Sequence, residues 1–291
     1  MAAETKRRQF RSRRVEELPA LDATVVRIQS GASAKSPLFC VHAQAGDVSL
    51  YQGIARHLPQ DQPVLGLCMP PLGKLGPDMR LARLAEYHVG EITAVQPRGP
   101  YWIVGECTGG ALAYEIAQQL QGAGEEVALL ALIDAFPPQL PRLRRFMPRA
   151  LYRVFHRVRI LGFHLGNLVR LEGAAKLGYV VAKAQRARAA LARKAAPRLE
   201  RSDTGGSPQR AFREALAAYE PRPFAGTMVL FRAARLPLGI ETTPDFGWGT
   251  LVEELQVETL PGYFTTPISE PGVRVLADRL ASHLARAGGK A

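Results

Sequence analysis

Gly105-Glu106-Cys107-Thr108-Gly109-Gly110 joins an apolar run, Tyr101 to Val104, that reads as a strand to a helical pattern beginning at Ala111. A nucleophile held on so sharp a strand-to-helix turn needs small residues on both sides, because the turn strains the backbone and draws helix and strand together. The thiol of Cys107 then sits at a helix N-terminus, where free amides and the helix dipole favour the thiolate and can later hold an oxyanion. Six residues alone also fit, less well, a tight glycine turn around a buried cysteine. The flanking pattern separates the two readings.

On the N-terminal side, Val25 to Ile28, Leu38 to Val41 and Val64 to Leu67 read as short strands, with helices expected over Leu50 to Leu58 and Leu81 to Val95. Pro97 stops the second helix. On the C-terminal side the helix Ala111 to Leu120 closes at Gly122 and Gly124, and the strand Val127 to Ile133 ends at Asp134. Phe212 to Tyr219 and Val273 to Ala287 read as helices, and Gly226 to Phe231 and Leu255 to Leu260 as strands. This alternation predicts a mostly parallel sheet flanked by helices, with active groups at the C-terminal ends of its strands.

Between Pro137 and Pro208 the alternation breaks into a helical stretch rich in Ala, Arg and Leu. An amphipathic insertion at that edge of the sheet is where a lid would lie, here at about residues 137–210; a small helical subdomain with solvated arginines fits the same pattern. The net charge of +12 resides there: Arg142 to Arg201 holds sixteen Lys or Arg against Glu172 and Glu200 alone. Concentrated in one insertion, with no nucleic-acid-binding motif or stacking platform beside it, this charge points to an acidic or phosphate-bearing partner and away from nucleic acid. Residues 1–20 read as a basic arm or linker, and 21–291 as one domain carrying the lid. The polar N-terminus and the lack of a membrane-length apolar run predict a cytoplasmic protein. Cys40, Cys68 and Cys107 lack the paired spacing of a zinc site or disulfide framework, and Cys40 and Cys68 read as core residues.

Asp134, at the end of the strand after the elbow helix, stands where an acid can orient a catalytic base. At this point the chain resembles the C-terminal thioesterase domains of nonribosomal peptide and polyketide synthases, from about Ser36 onward. The residues that carry the likeness are Phe39-Cys40-Val41-His42, Tyr51 with Ala55-Arg56-His57-Leu58, Val95 to Tyr101, the elbow, Leu230-Phe231-Arg232-Ala233, Gly247-Trp248 and Leu260-Pro261-Gly262. The resemblance implies an α/β-hydrolase fold, Cys107 as nucleophile in place of the usual serine, and Asp134 as the acid. It implies oxyanion amides from Thr108 and from the loop around Ala43 and Gln44. It further implies an upstream peptidyl carrier domain that delivers a peptidyl thioester on phosphopantetheine, with no cofactor or metal of the domain's own and no membrane partner. A basic cluster such as Arg142, Arg144, Arg145 and Arg149 would meet that carrier.

The catalytic histidine of this family follows a Pro-Gly near the C-terminus, but here Pro261-Gly262 leads into Tyr263-Phe264-Thr265-Thr266, with Phe264 at the expected position. Another histidine serves, or Cys107 works without one, or the site is dead. His57, His88 and His283 fall within helices away from the strand ends and read as structural. His42 ends a strand beside the presumed oxyanion loop and ranks first; His164 ranks second, since it and His156 lie in the lid and reach the site only if the lid folds over. Cysteine-type members without the ordinary histidine resemble the β-lactam-forming domains of monobactam synthetases such as that for sulfazecin. The expected reaction is then release through an acyl-Cys107 intermediate by closure of a strained lactam. Hydrolysis to the free acid and a non-catalytic carrier-binding module stand as alternatives.

Overall fold

The computed structural model describes residues 24–75, 79–140, 142–143, 148–170 and 207–289, with isolated positions 173, 176, 180, 181 and 184. The arm proposed over residues 1–20 lies outside them. Among the described residues the strands are β1 (Val25–Gln29), β2 (Leu38–Val41), β3 (Val64–Leu67), β4 (Tyr101–Glu106), β5 (Val127–Ile133), β6 (Arg142–Leu143), β7 (Phe224–Arg235), β8 (Ile240–Glu241) and β9 (Val252–Tyr263). The α-helices among them are α1 (Gln52–His57), α2 (Leu81–Val95), α3 (Thr108–Gly122), α4 (Arg149–Arg170), α5 (Pro208–Ala217) and α6 (Gly272–Gly288).

Seven strands form one sheet in the order β1-β3-β2-β4-β5-β7-β9, parallel throughout except where β1 runs against β3. The parallel core strands are covered on both faces, which is why β2, β3 and β4 read as unbroken apolar runs. Alternate residues of β4 serve two cores. Tyr101 and Ile103 pack with Leu84 and Ile92 of α2, Leu112 and Ile116 of α3 and Phe212 of α5. Trp102 and Val104 pack with Ile54 of α1 and Leu276 and Leu280 of α6. The buried positions of α2, Leu81, Leu84, Ala85, His88 and Ile92, keep the spacing of one helix face.

Three departures from the sequence-based expectation have local causes. The helix expected over Leu50 to Leu58 starts as a 3-10 turn at Ser49–Tyr51 and becomes α-helical only at Gln52. Tyr51 is drawn inward there, its hydroxyl donating to Val41 O at 2.8 Å and accepting from Glu106 N at 3.0 Å. Strands β7 and β9 run well past their apolar segments because they pair in parallel along most of their length, while β9 alternates mainly between exposed and half-exposed positions. The insertion is tied to the body by the short antiparallel pair β6–β8, and the long helix α4 follows.

Two histidines lie wholly inside the first core. His42 and His88 meet edge to face at 5.5 Å, and His42 Nε2 and both ring nitrogens of His88 have no hydrogen-bond partner. Burial holds His42 neutral, its pKa lowered to about 4, and holds that of His88 well below the ordinary imidazole value, with repulsion from His42, were both protonated, a second cause. Above pH 6.5 both are neutral in folded and unfolded chains. As pH falls below that value the unfolded chain takes up protons that the folded one refuses, so this pair costs stability on acidification. Replacing an unsatisfied buried imidazole by an apolar group removes a penalty of about 1–3 kcal/mol. His88→Leu is therefore expected to match or exceed the wild type in thermal unfolding at pH 7.5. Its advantage should widen between pH 6.5 and 4.5; a flat difference across that range would count against a neutral, orphaned ring.

Candidate active site

The elbow puts Cys107 at φ 49°, ψ −118°, a conformation that a non-glycine residue adopts only when its surroundings impose it. Those surroundings are the ladder on one side, where Cys107 N donates to Ile133 O at 2.9 Å, and helix α3 on the other, where Gly110 N donates to Cys107 O at 3.1 Å. The two glycines after the turn are packing requirements. A Cβ on Gly109 would stand 2.6 Å from His42 O, and one on Gly110 would stand 2.3 Å from Ala135 Cβ. The start of α3 is thus wedged between the loop after β2 and the loop after β5, which carry the other expected site residues.

Asp134 is fully buried at φ 46°. Its backbone amide extends the sheet to Phe231 O at 2.8 Å, and its carboxylate takes two backbone donors, Ala233 N on Oδ1 and Thr265 N on Oδ2, each at 2.7 Å. The second donor comes from the loop in which the family histidine would stand, so the backbone of Thr265, at φ 66°, meets the acid where an imidazole is usual. Phe264 packs against Phe136 at 5.6 Å, and Phe136 stacks on Phe246 at 4.1 Å. Trp248 Nε1 donates to Ala135 O at 2.9 Å, which fixes the chain just beyond Asp134. Burial raises the Asp134 pKa to about 6 against the opposing pull of the two amides and Arg232.

The oxyanion loop lies where expected in the chain, but its amides are partly committed. Gln44 N donates to Thr108 Oγ1 at 2.9 Å, and Ala43 O accepts from Gly46 N at 2.9 Å. The Thr108 amide bonds toward the Cys107 thiol and favours its charged form.

Two expectations are corrected by this geometry. The helix N-terminus does not leave Cys107 as a ready thiolate: burial, then the neighbouring Glu106 carboxyl and Asp134, push its pKa up to about 12, and the Thr108 amide offsets only part of this. The resting group is a thiol that needs a proton acceptor. His42 is not aimed at it. Its Nδ1 lies 2.9 Å from Ala43 O, its Nε2 is unpartnered, and its ring packs on His88 and on Phe212 at 5.3 Å. His164 falls on α4, but its side chain lies outside the described residues, as do the side chains of Arg142 and Arg149 and the whole of Arg144 and Arg145. His57 and His283 are held elsewhere by Glu270 at 2.8 Å and Glu258 at 2.5 Å.

Sequence reasoning passed over three groups. Glu106, inside the quoted hexapeptide, is buried with its pKa raised to about 8 by burial and then by Asp134. Burial, and then Cys107, raises the pKa of Tyr152 on α4. Tyr263, beside the missing histidine, bonds to His156 at 3.1 Å. The spacing of Tyr152 and His156, four apart on one helix face, was a usable signal.

Glu106 permits a test with a definite sign. Its folded pKa stands above its unfolded value, so the stability associated with the protonated folded carboxyl is fully present below pH 4.5 and is lost as pH rises through about 8. Glu106→Gln, which cannot ionise, is expected to gain in melting temperature over the wild type progressively across that window. A gain that is constant with pH would mean that the carboxyl is solvated.

With the geometry described, comparison with known proteins becomes informative. The family model for the thioesterase domain matches residues 36–269. A dimodular nonribosomal peptide synthase of Bacillus subtilis (strain 168) is 38% identical over 119 residues, 40% of this chain and 5% of that protein. Enterobactin synthase component F of Escherichia coli (strain K12) is 35% identical over 103 residues, 35% of this chain and 8% of that protein. The chain therefore spans a small part of these relatives' length. Among solved structures, the NocB thioesterase domain in covalent complex with a fluorophosphonate nocardicin G analogue superimposes with a TM-score of 0.58 at 23% identity, over 89% of this chain and 99% of that one, a likeness of fold. No helix among the described residues is long and apolar enough to cross a membrane. On the extent of the match, the chain belongs to the thioesterase domain family.

Proposed function

We propose that this chain ends a peptide assembly line: Cys107 takes a peptidyl group from the phosphopantetheine thioester of an upstream carrier domain, and the acyl-cysteine is released by intramolecular attack to give a strained lactam. The observation that carries the reading is Cys107 on the strained turn at φ 49°, with Asp134 at the end of the neighbouring strand. Family membership supports acyl transfer, and nonribosomal peptide synthases among the relatives support a carrier-bound peptide as substrate.

The cysteine bears on the outcome. Transfer from the pantetheine thiol to Cys107 exchanges one thioester for another, so the acyl group keeps its activation and can still acylate a poor or geometrically strained nucleophile. A serine ester would retain less driving force. Phe264 in place of the family's base supports the same outcome, since a base there would activate water against the acyl-enzyme.

Intact-protein mass spectrometry after mixing with an acyl-pantetheine thioester is expected to show one adduct, on Cys107, that Cys107→Ala abolishes. Cys107→Ser should give weaker release, biased to hydrolysis or stalled as an ester; full wild-type product formation by it would refute the thioester argument. Phe264→His should raise hydrolysis without faster lactam formation, and faster cyclisation with unchanged hydrolysis would show that Phe264 is only a lesion.

The basic lid belongs to the same proposal as the surface that captures the acidic, phosphate-bearing loaded carrier. Attraction between exposed charges is screened within about 10 Å at 0.1 M salt. Charge reversal of Arg142, Arg144, Arg145 and Arg149 is expected to raise KM for carrier-bound substrate at low ionic strength and to leave that for a small soluble thioester unchanged. Equal effects on both substrates would assign the arginines to a solvated helix face.

A further inference from the structure

The raised pKa of the Cys107 thiol leaves the site in need of a proton acceptor, and helix α4 carries a histidine beside the end of β9, next to the position at which the family's own histidine would stand. Helix α4 turns His156 toward the end of β9, where its Nδ1 lies 3.1 Å from the hydroxyl of Tyr263. One turn earlier on the same face, Tyr152 stacks on the imidazole with ring centres 5.7 Å apart and planes within 7°. Burial, and then Cys107, raises the pKa of that phenol. The imidazole is thus held between a residue of its own helix and the residue immediately after Pro261-Gly262.

We infer that His156, held by Tyr263 and Tyr152, is the base of this site, brought to Cys107 by helix α4 in place of a histidine on the loop after β9. This rests on the acyl-cysteine reading. With Nδ1–H donating to the Tyr263 oxygen, Nε2 is left as the acceptor, so Tyr263 does for this ring what a carboxylate does in the usual triad. In acylation the Sγ–C bond forms while the Cys107 proton passes to Nε2; the bond from carbon to the pantetheine sulfur breaks, and that thiolate takes the proton back. In release the attacking N–H gives its proton to Nε2 as the N–C bond forms. The C–Sγ bond then breaks and the sulfur is reprotonated.

The titratable and charged groups around His156 are Tyr152 and Arg159 from its own helix, Tyr263 from β9 and, beyond Tyr152, Cys107. Partial burial lowers the pKa of the imidazole, which keeps it neutral and able to accept a proton at pH 7. The rate of Cys107 acylation, read by intact mass against time, should therefore fall on acidification with an apparent pKa below the ordinary imidazole value of about 6.5. His156→Gln should abolish that limb and slow acylation about 100- to 10,000-fold, the usual contribution of a positioned base. His156→Ala should regain rate when imidazole is added to the buffer. Tyr263→Phe should shift the limb to lower pH, since the imidazolium loses its acceptor, without loss of melting temperature. Absence of any Cys107 adduct in the wild type would overturn the acyl-cysteine reading and this inference with it. An adduct that forms in His156→Gln at the wild-type rate and pH profile, or with a single limb near pH 8 that Glu106→Gln removes, would overturn this inference alone and leave the acyl-cysteine standing.

Discussion

A non-glycine residue at φ 49° is held in place only if the segments on both sides of it cannot relax, and most of the architecture around Cys107 can be traced to that requirement. Strand β4 is buried on both faces and paired on both edges, so it cannot slide. Helix α3 buries most of its length and is pinned at its start by close approach to His42 O and Ala135 Cβ. A single methyl at Gly109 or Gly110 would push the helix off one of these loops and release the turn. The same two contacts bring together the ends of β2, β4 and β5, so the strain at the nucleophile and the assembly of the site have a common cause.

This explains why so much of the fold was legible in the residues. Strand-helix alternation, a hexapeptide too rich in glycine for an ordinary turn and an acid closing the next apolar strand are local signals. They specified the parallel sheet and the two groups that its C-terminal ends present. The failures lay where meaning depends on tertiary neighbours. His42 ends a strand, as a catalytic group often does, yet its ring turns into the core against His88 and Phe212. Nothing in the spacing of His156 revealed that Tyr263, more than a hundred positions away, would receive it. Helix dipole reasoning suggested a thiolate because it counted the amides and not the burial of the sulfur, nor the two carboxyl groups that the sheet lays beside it.

Those carboxyls mark a trade between stability and chemistry. Glu106 and Asp134 both have raised pKa values, and each disfavours charge on its neighbours: Asp134 acts on Glu106, and both act on Cys107. A desolvated acid pair beside a thiol is costly to bury, and no packing argument accounts for Glu106 on a strand otherwise made of apolar residues and glycine. Together with burial, the two carboxyl groups keep the sulfur protonated until something accepts its proton.

The departure at Phe264 then reads as part of one arrangement. Asp134 has both oxygens bonded to backbone amides, one of them Thr265 N from the loop that would carry a histidine, so the acid holds the loop in place of orienting a ring. Phe264 fills the vacated position against Phe136, in an aromatic stack that continues to Phe246. In the proposed reaction an apolar wall there would keep out the water that a base at that position would activate. Proton transfer, in our reading, moves to a helix of the insertion that meets the residue next to Phe264, where His156 bonds to Tyr263. For the ring closure we propose, retention of thioester activation and exclusion of water matter more than the strength of the base, and the proposal ties both to the two residues, Cys107 and Phe264, at which the chain departs from the usual serine and histidine.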